Sequence, residues 1–326
     1  MKRYAIILMI FSSLLVFNSC ETDFNINADY EDVTVVYGLL NQDSTTYIKI
    51  NKAFLGEGNT LIMAKIEDSS NYQNELNVTL EEWDGNNQIS TFILDTITIT
   101  NKEEGVFYNP YQVLYKTDAL LNEDYTYKLK IINAEKEISS ETKLINDFNL
   151  VKPRMGGTYL LLTEESQKAV EWESAKNGIR YEVVIRFHYK EKFIDQADTI
   201  CKYIDWELGT VKSSNTDGGE PMDMLYFGAS FFLLCGQNIP YDDQALEDRV
   251  HYRLTSNVEF ILSVAGEDLN TYMEVNEPSS SIVQDKPEYT NIENGIGIFS
   301  SRYQKTRSKL LKSESVAVLE ELNIKF

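Results

Sequence analysis

Histidine is nearly missing from this 326-residue chain, which has only His188 and His251. Cysteine is scarce too, with three residues, and proline has six. There is no His-x-x-x-His, Cys-x-x-Cys or His–Glu pair, which excludes a zinc centre with local ligand spacing. A G-x-S-x-G elbow is also absent. Positive charge is in short supply: 30 Lys and Arg stand against 51 Asp and Glu, a net of −21. Such a surface repels nucleic acid and anionic lipid. The chain shows no solenoid repeat and no low-complexity tract. What it has instead is 43% hydrophobic residues with 20 Tyr and 15 Phe, ample for a packed core.

The N-terminus is the first informative segment. Lys2 and Arg3 precede an apolar run from Ala5 to Phe17, then Asn18, Ser19 and Cys20. As a helix the run would reach roughly 20 Å, short of the ~30 Å hydrocarbon core. A basic start and a short apolar run mark a targeting signal rather than a span. The cysteine position resembles bacterial lipoprotein signals, which are cleaved just before a Cys that then carries lipid. Phe17 and Ser19 stand where that pattern usually has Leu and Gly or Ala. Residues 1–19 therefore read as a signal peptide, Cys20 as the lipidated residue and 20–31 as a tether. Removing 1–19 takes away Lys2 and Arg3 and no acid, leaving a net of −23. Glu21 and Asp23 resemble the surface-export signal of Bacteroidetes lipoproteins. Cys20 being spoken for, Cys201 and Cys235 are left either to form one disulfide or to stay as free thiols.

From Val33 the pattern is β. Val33–Leu40, Ser44–Phe54 and Glu75–Trp83 alternate, Asp84–Asn87 signals a hairpin, and Gln88–Leu94 is its partner. Tyr111–Thr117, Tyr125–Asn133 and Glu137–Leu144 complete about seven short strands, the signature of a sandwich. Leu121 lies six residues before Tyr127, with Leu129 two beyond. This resembles the tyrosine corner of fibronectin type III and immunoglobulin-like sandwiches, which implies that Tyr127 bonds back to backbone over Leu121.

Dense turn chemistry from Asn146 to Gly157 marks a boundary. The spacing places an N-terminal β-sandwich at 32–148 and a second β-rich domain at 149–326. In the second, Trp172 precedes a hairpin turn at Asn177-Gly178, and Tyr181 to Tyr189 alternate. Short helices are expected at Met224–Ile239, Ala265–Pro278 and Ser313–Phe326, around a central strand at Arg253–Gly266. The fold class is thus mainly β: two Ig/fibronectin type III-like β-sandwich domains, the second decorated with short helices.

The segment TNIENGIGIFSS, with Asn291–Ser301 as its specific part, adds a family likeness. Together with Cys20 and the β-rich first half, it resembles a family of Bacteroidetes outer-membrane lipoproteins catalogued as a domain of unknown function. Members are often encoded beside TonB-dependent receptors. The resemblance implies an outer-membrane location, surface-exposed with the periplasmic face as the alternative, and such a receptor as partner. Gly295 and Gly297 suggest close backbone approach at the start of a final core strand. A phosphate-cradling loop is a poor fit, since Gly295-Ile-Gly297 is too short and no Lys follows.

Candidate chemistry is sparse. Glu164-Glu165, Asp242-Asp243 and Glu247-Asp248 read as solvated charge. Asp217, Glu220 and Asp223 match no calcium loop. No catalytic residue, metal or cofactor is expected. Loop aromatics offer a contact surface instead: Tyr72, Tyr108, Tyr111 and Tyr241, with Gly105–Gln112 the most aromatic loop. The functional expectation is a non-enzymatic binding or accessory protein of the cell envelope, taking a glycan or peptide ligand and no nucleic acid. A structural or adhesive surface protein is the alternative, and a glycan- or peptide-cleaving hydrolase a more distant one.

Overall fold

The computed structural model describes residues 33–53, 60–72, 76–106, 108, 111–134, 136–277 and 288–326. The signal, Cys20 and the tether lie outside them. The chain is mainly β, with several sheets. It opens with β1 (Val33–Leu40), β2 (Thr46–Ala53) and two single-turn helices, α1 (Thr60–Met63) and α2 (Glu67–Ser70). Next come β3 (Asn77–Asp84), β4 (Asn87–Ile93), β5 (Asp95–Ile99), β6 (Gln112–Thr117), β7 (Thr126–Asn133) and β8 (Lys136–Lys143). The later part has β9 (Leu150–Lys152), β10 (Tyr159–Leu160), β11 (Gln167–Glu173), β12 (Arg180–Phe193), β13 (Thr199–Lys212) and β14 (Pro221–Phe227). It ends with α3 (Gly228–Asn238), α4 (Asp242–Glu247), β15 (Val250–Ala265), α5 (Glu267–Asn276), β16 (Gly295–Leu311) and α6 (Ser313–Glu321). No helix among the described residues is long and apolar enough to cross a membrane.

One long sheet runs β13-β12-β15-β16-β1-β2-β6-β5, with β10 also paired to β16. A four-stranded sheet, β4-β3-β7-β8, and a three-stranded sheet, β14-β11-β9, accompany it. Two hydrophobic clusters form. One joins β1 and β2 to the four-stranded sheet through Val36, Ile48, Leu80, Leu129 and Ile131. The other joins β12 and β15 to β11 and α3 through Trp172, Tyr181, Phe187, Phe231 and Phe260. Strand alternation explains the first: Val78 and Leu80 are buried while Thr79 and Glu81 are not.

The last long strand serves both cores. Gly295–Ser301 pairs parallel with Thr34–Leu40 of β1. Arg302–Leu310 then pairs antiparallel with Ala265–Asn257 of β15. Phe299 is fully buried in the first cluster, although its sequence position suggests the second half. Gly297, at φ +115°, approaches β1 so closely that a Cβ would lie 2.0 Å from the Val36 carbonyl oxygen. A Cβ on Gly295 would lie 2.8 Å from the Thr34 carbonyl oxygen.

Tyr127 is fully buried. Its hydroxyl accepts the Asn122 N–H at 2.6 Å and donates to Glu82 Oε1 at 2.6 Å, with Leu121 buried beside it. Tyr127→Phe would leave the buried Glu82 carboxylate and the Asn122 N–H without that partner. We expect a loss of about 1–3 kcal/mol in chemical denaturation; an unchanged midpoint would show that water replaces the hydroxyl.

Two expectations need correction. The segment from Met224 does not start as a helix: Met224–Phe227 is strand, paired with Val170–Gln167 of β11, and the helix begins at Gly228. A short apolar run fits either state, and the sheet edge of β11 decided it. Asn177-Gly178 is not a hairpin turn either. β11 and β12 belong to different sheets, so the turn, with Asn177 at φ 65°, carries the chain from one to the other. The Tyr181 hydroxyl accepts the Ala175 N–H at 2.7 Å across this crossing, a second tyrosine-to-backbone tie.

Candidate functional site

A cavity of about 570 Å³ opens over the outward face of β1 and β2. Alternation sets that face. Val36, Ile48 and Ile50 enter the core, so Val35, Tyr37, Lys49 and Asn51 turn outward. Pairing puts Tyr37 opposite Lys49, and Val35 between Asn51 and Ile296. Two excursions from the sheets complete the walls. One, between β2 and β3, carries α1 and α2; the other joins β5 to β6. They are tied together: the Tyr108 N–H donates to the Ala64 carbonyl at 2.8 Å, and the Tyr111 hydroxyl donates to Glu67 Oε1. Tyr108 and Tyr111 pack edge to face, with centroids 5.4 Å apart.

The polar lining is cationic and amide-rich. Lys49, Lys52 and Lys102 all line the cavity, and no Asp or Glu does among the described residues. Lys102 Nζ donates to the Tyr108 carbonyl at 2.5 Å. Lys52 Nζ sits 5.0 Å from the Tyr72 ring centre and donates weakly to the Asp68 carbonyl at 3.4 Å. Lys49 has neither hydrogen-bond nor ion-pair partner among the described residues. Burial pulls its pKa below the ordinary lysine value, and the charge of Lys102 pulls it further. The Asn51 amide donates to the Ser70 carbonyl at 2.8 Å and to Asn71 Oδ1 at 3.0 Å. Its own Oδ1 is buried without a partner among the described residues. Hydrogen bonding to Glu67 is the main reason the Tyr111 hydroxyl is held above its ordinary pKa.

Of the aromatic candidates, the structure brings Tyr108 and Tyr111 together here. Tyr72 is not an exposed loop residue. It is buried in the first core, with its hydroxyl 2.9 Å from Thr34 Oγ1, because the chain after α2 turns inward. Tyr241 is exposed ahead of α4 and takes no part in the cavity. The lysines and Asn51 were not singled out from sequence. The alternation of Ile48 and Ile50 with Lys49 and Asn51 was the available signal for an outward polar row.

The disulfide alternative is corrected. Cys201 and Cys235 are both free thiols. Cys201 is exposed on β13, while Cys235 is fully buried in α3. Burial pushes the Cys235 thiol up to about 12, so it stays protonated and inert. Trp172 is buried in the second core.

Several charged groups elsewhere make structural bonds. Glu220 Oε2 accepts the Ser214 N–H at 2.7 Å and its hydroxyl at 2.9 Å. Among the described residues no cluster of His, Cys, Asp and Glu is placed to hold a metal. His188 Nε2 lies 2.9 Å from Glu259 Oε2, paired with a carboxylate rather than with a nucleophile. Asp242 is tied to Arg253 at 3.4 Å and to the Lys325 N–H at 3.0 Å.

No protein-family model matches the chain. No curated protein sequence matches it either. Among solved structures, the C-terminal globular domain of an oligosaccharyltransferase from Pyrococcus abyssi aligns at 9% identity and a TM-score of 0.27. That alignment covers 72% of this chain and 46% of the other. The BSP domain of a biofilm-associated protein aligns at 7% identity and a TM-score of 0.16, covering 86% and 59%. Neither likeness is close enough to carry an argument about function.

Proposed function

We propose that this chain is a non-catalytic, lipid-anchored protein of the outer membrane, built of two β-sandwich domains, that holds a glycan or peptide ligand in the cavity over β1 and β2. The cavity carries the reading. At about 570 Å³ it falls in the size range of small-molecule sites, and it combines aromatic walls with a few convergent polar groups. The two hydrophobic clusters, each between sheets, support the two-domain view. The Cys20 signal supplies the anchor, and the family resemblance of Asn291–Ser301 supplies the surface location and a TonB-dependent receptor as partner.

Two measurements test this. Radiolabelled palmitate should enter the wild-type protein but not Cys20→Ala; equal labelling removes the anchor. For the cavity, full-length protein in detergent is screened by thermal shift against neutral, acidic and amino oligosaccharides and short peptides. At least one class should raise the melting temperature, and Tyr108→Ala should weaken its binding about tenfold or more. If no class shifts the protein, or the shift survives Tyr108→Ala, the cavity is not the binding site.

A further inference from the structure

The charge of the cavity narrows the ligand class, taking the ligand-binding reading above as its basis. Acids outnumber bases 51 to 30 in this chain, so a wall assembled without selection would be expected to carry more carboxylate than ammonium. The observed wall has three lysines and no carboxylate among the described residues. From these residues we infer that the cavity takes an anionic saccharide, one that presents an acidic group to Lys49 and Lys102 and its ring and hydroxyls to Tyr108, Tyr111 and the flanking amides.

Three observations converge on this class. First, Lys49 is half-buried and has no counter-ion among the described residues, while Lys102 is near enough to act on it. Two like charges at a partly desolvated site repel, and an anion placed between them relieves both terms at once. Second, none of the three lysines is used as an ion-pair partner among the described residues. Lys102 donates to the Tyr108 carbonyl, and Lys52 rests over Tyr72 and reaches the Asp68 carbonyl. Both bonds go to neutral oxygens, so neither ammonium has an ion-pair partner among the described residues. Glu67, a carboxylate of α2 behind this wall, is bonded to the Tyr111 hydroxyl.

Third, the remaining surface suits a hydroxylated ring better than a bare ion. The Tyr108–Tyr111 pair packs edge to face, and bonds from the Tyr108 N–H to Ala64 and from the Tyr111 hydroxyl to Glu67 tie it to the facing wall. Tyrosines supply large contact area at little entropic loss. Asn71 and Gln112 also line the cavity. Side-chain amides can both donate to and accept from sugar hydroxyls. Lysine ammoniums act as point charges and do not require a planar bidentate partner. The acidic group can therefore be a carboxylate or a sulfate ester.

The test is calorimetric titration of the full-length protein in detergent with trigalacturonate, its neutral counterpart galactotriose, a sulfated galactose oligomer and inorganic phosphate. One or both acidic oligosaccharides should bind at least about tenfold more tightly than galactotriose. Binding should weaken as NaCl rises from about 50 to about 500 mM, because the attraction is screened. Lys49→Gln and Lys102→Gln should each weaken it about fivefold or more, with Lys49→Arg retaining most of it. A melting curve for each variant checks that the fold is kept; Lys49→Gln should melt no lower than wild type, since it removes a repulsion. Equal affinity for acidic and neutral sugars, or full affinity in the Lys49→Gln/Lys102→Gln double variant, would overturn the anionic class. If Tyr108→Ala still weakens the neutral sugar in that case, the binding site itself survives. Phosphate binding as tightly as the oligosaccharides would overturn the saccharide part. No binding of any of the four probes would remove the inference, while the broader thermal-shift panel decides separately whether the cavity binds a ligand of another class.

Discussion

Gly297→Ala should destabilise the protein by about 3 kcal/mol or more, among the largest losses any single methyl could cause here. The added Cβ would sit 2.0 Å from the Val36 carbonyl oxygen and 2.9 Å from its carbon. Both are backbone atoms, so no rotamer change relieves the clash. The Val36 segment is held by β2 on its other side, and β16 is anchored to β15 further along. The φ of +115° adds strain that a side chain tolerates poorly. Gly209→Ala is the matched comparison. Its φ is +124°, but the added Cβ meets nothing within 4 Å, so it should cost only about 1 kcal/mol. Urea unfolding of the two variants checks this. Equal midpoints would mean that conformational strain, not the approach of β16 to β1, governs both sites. Because one strand feeds two cores, the Gly297 variant should also lower the protection of β15 amides in hydrogen exchange.

The second large effect lies in the other core. Glu191 and Arg253 are both almost wholly buried. Arg253 Nε donates to Glu191 Oε1 at 3.0 Å, and its terminal nitrogens reach Asp242 Oδ1 at 3.4 Å and the Pro240 carbonyl at 2.5 Å. Lys202 adds a contact to Glu191 Oε2 at 2.5 Å. Arg253→Met should cost about 3–5 kcal/mol, since it leaves a buried carboxylate short of its main partner. The double variant Glu191→Gln/Arg253→Met should recover part of that loss, because the stranded charge is gone. Denaturant titration of the single and double variants measures both. A single variant within about 1 kcal/mol of wild type would show that Lys202 alone compensates Glu191. Asp242 also accepts the Lys325 N–H, and its own N–H donates to the Asn323 carbonyl. The C-terminal residues should therefore become more accessible to carboxypeptidase in Arg253→Met.

Much of the local architecture was legible in the residues. The Gly85-Asn86 turn closes β3 onto β4 as its composition requires, with Gly85 at φ 57°. The spacing of Leu121 and Tyr127 announced a tyrosine bonded back to nearby backbone, and Asn122 is the group it meets. Gly295 and Gly297 announced close backbone approach. In the cavity, the aromatic loop around Tyr108 and Tyr111 was visible as a contact candidate, whereas Tyr72 looked equally exposed and is core. The three lysines could not have been grouped. Lys49 and Lys102 are brought together only by the order of β1, β2, β6 and β5 and by the Tyr108–Ala64 bond.

The sequence by itself determined which side of each strand is apolar, where the turns fall, and that a net-acidic, tyrosine-rich β protein results. Those properties depend on side-chain period and turn chemistry, both of which act within a few residues. Only the tertiary structure decided which strands are neighbours. Backbone N–H and C=O groups are alike along every strand, so pairing is chosen by the global fit of the faces they carry. That choice sends the first half of β16 back to β1, leaves Cys201 and Cys235 unbridged, and gathers Lys49, Lys52 and Lys102 around one cavity in an otherwise acidic protein.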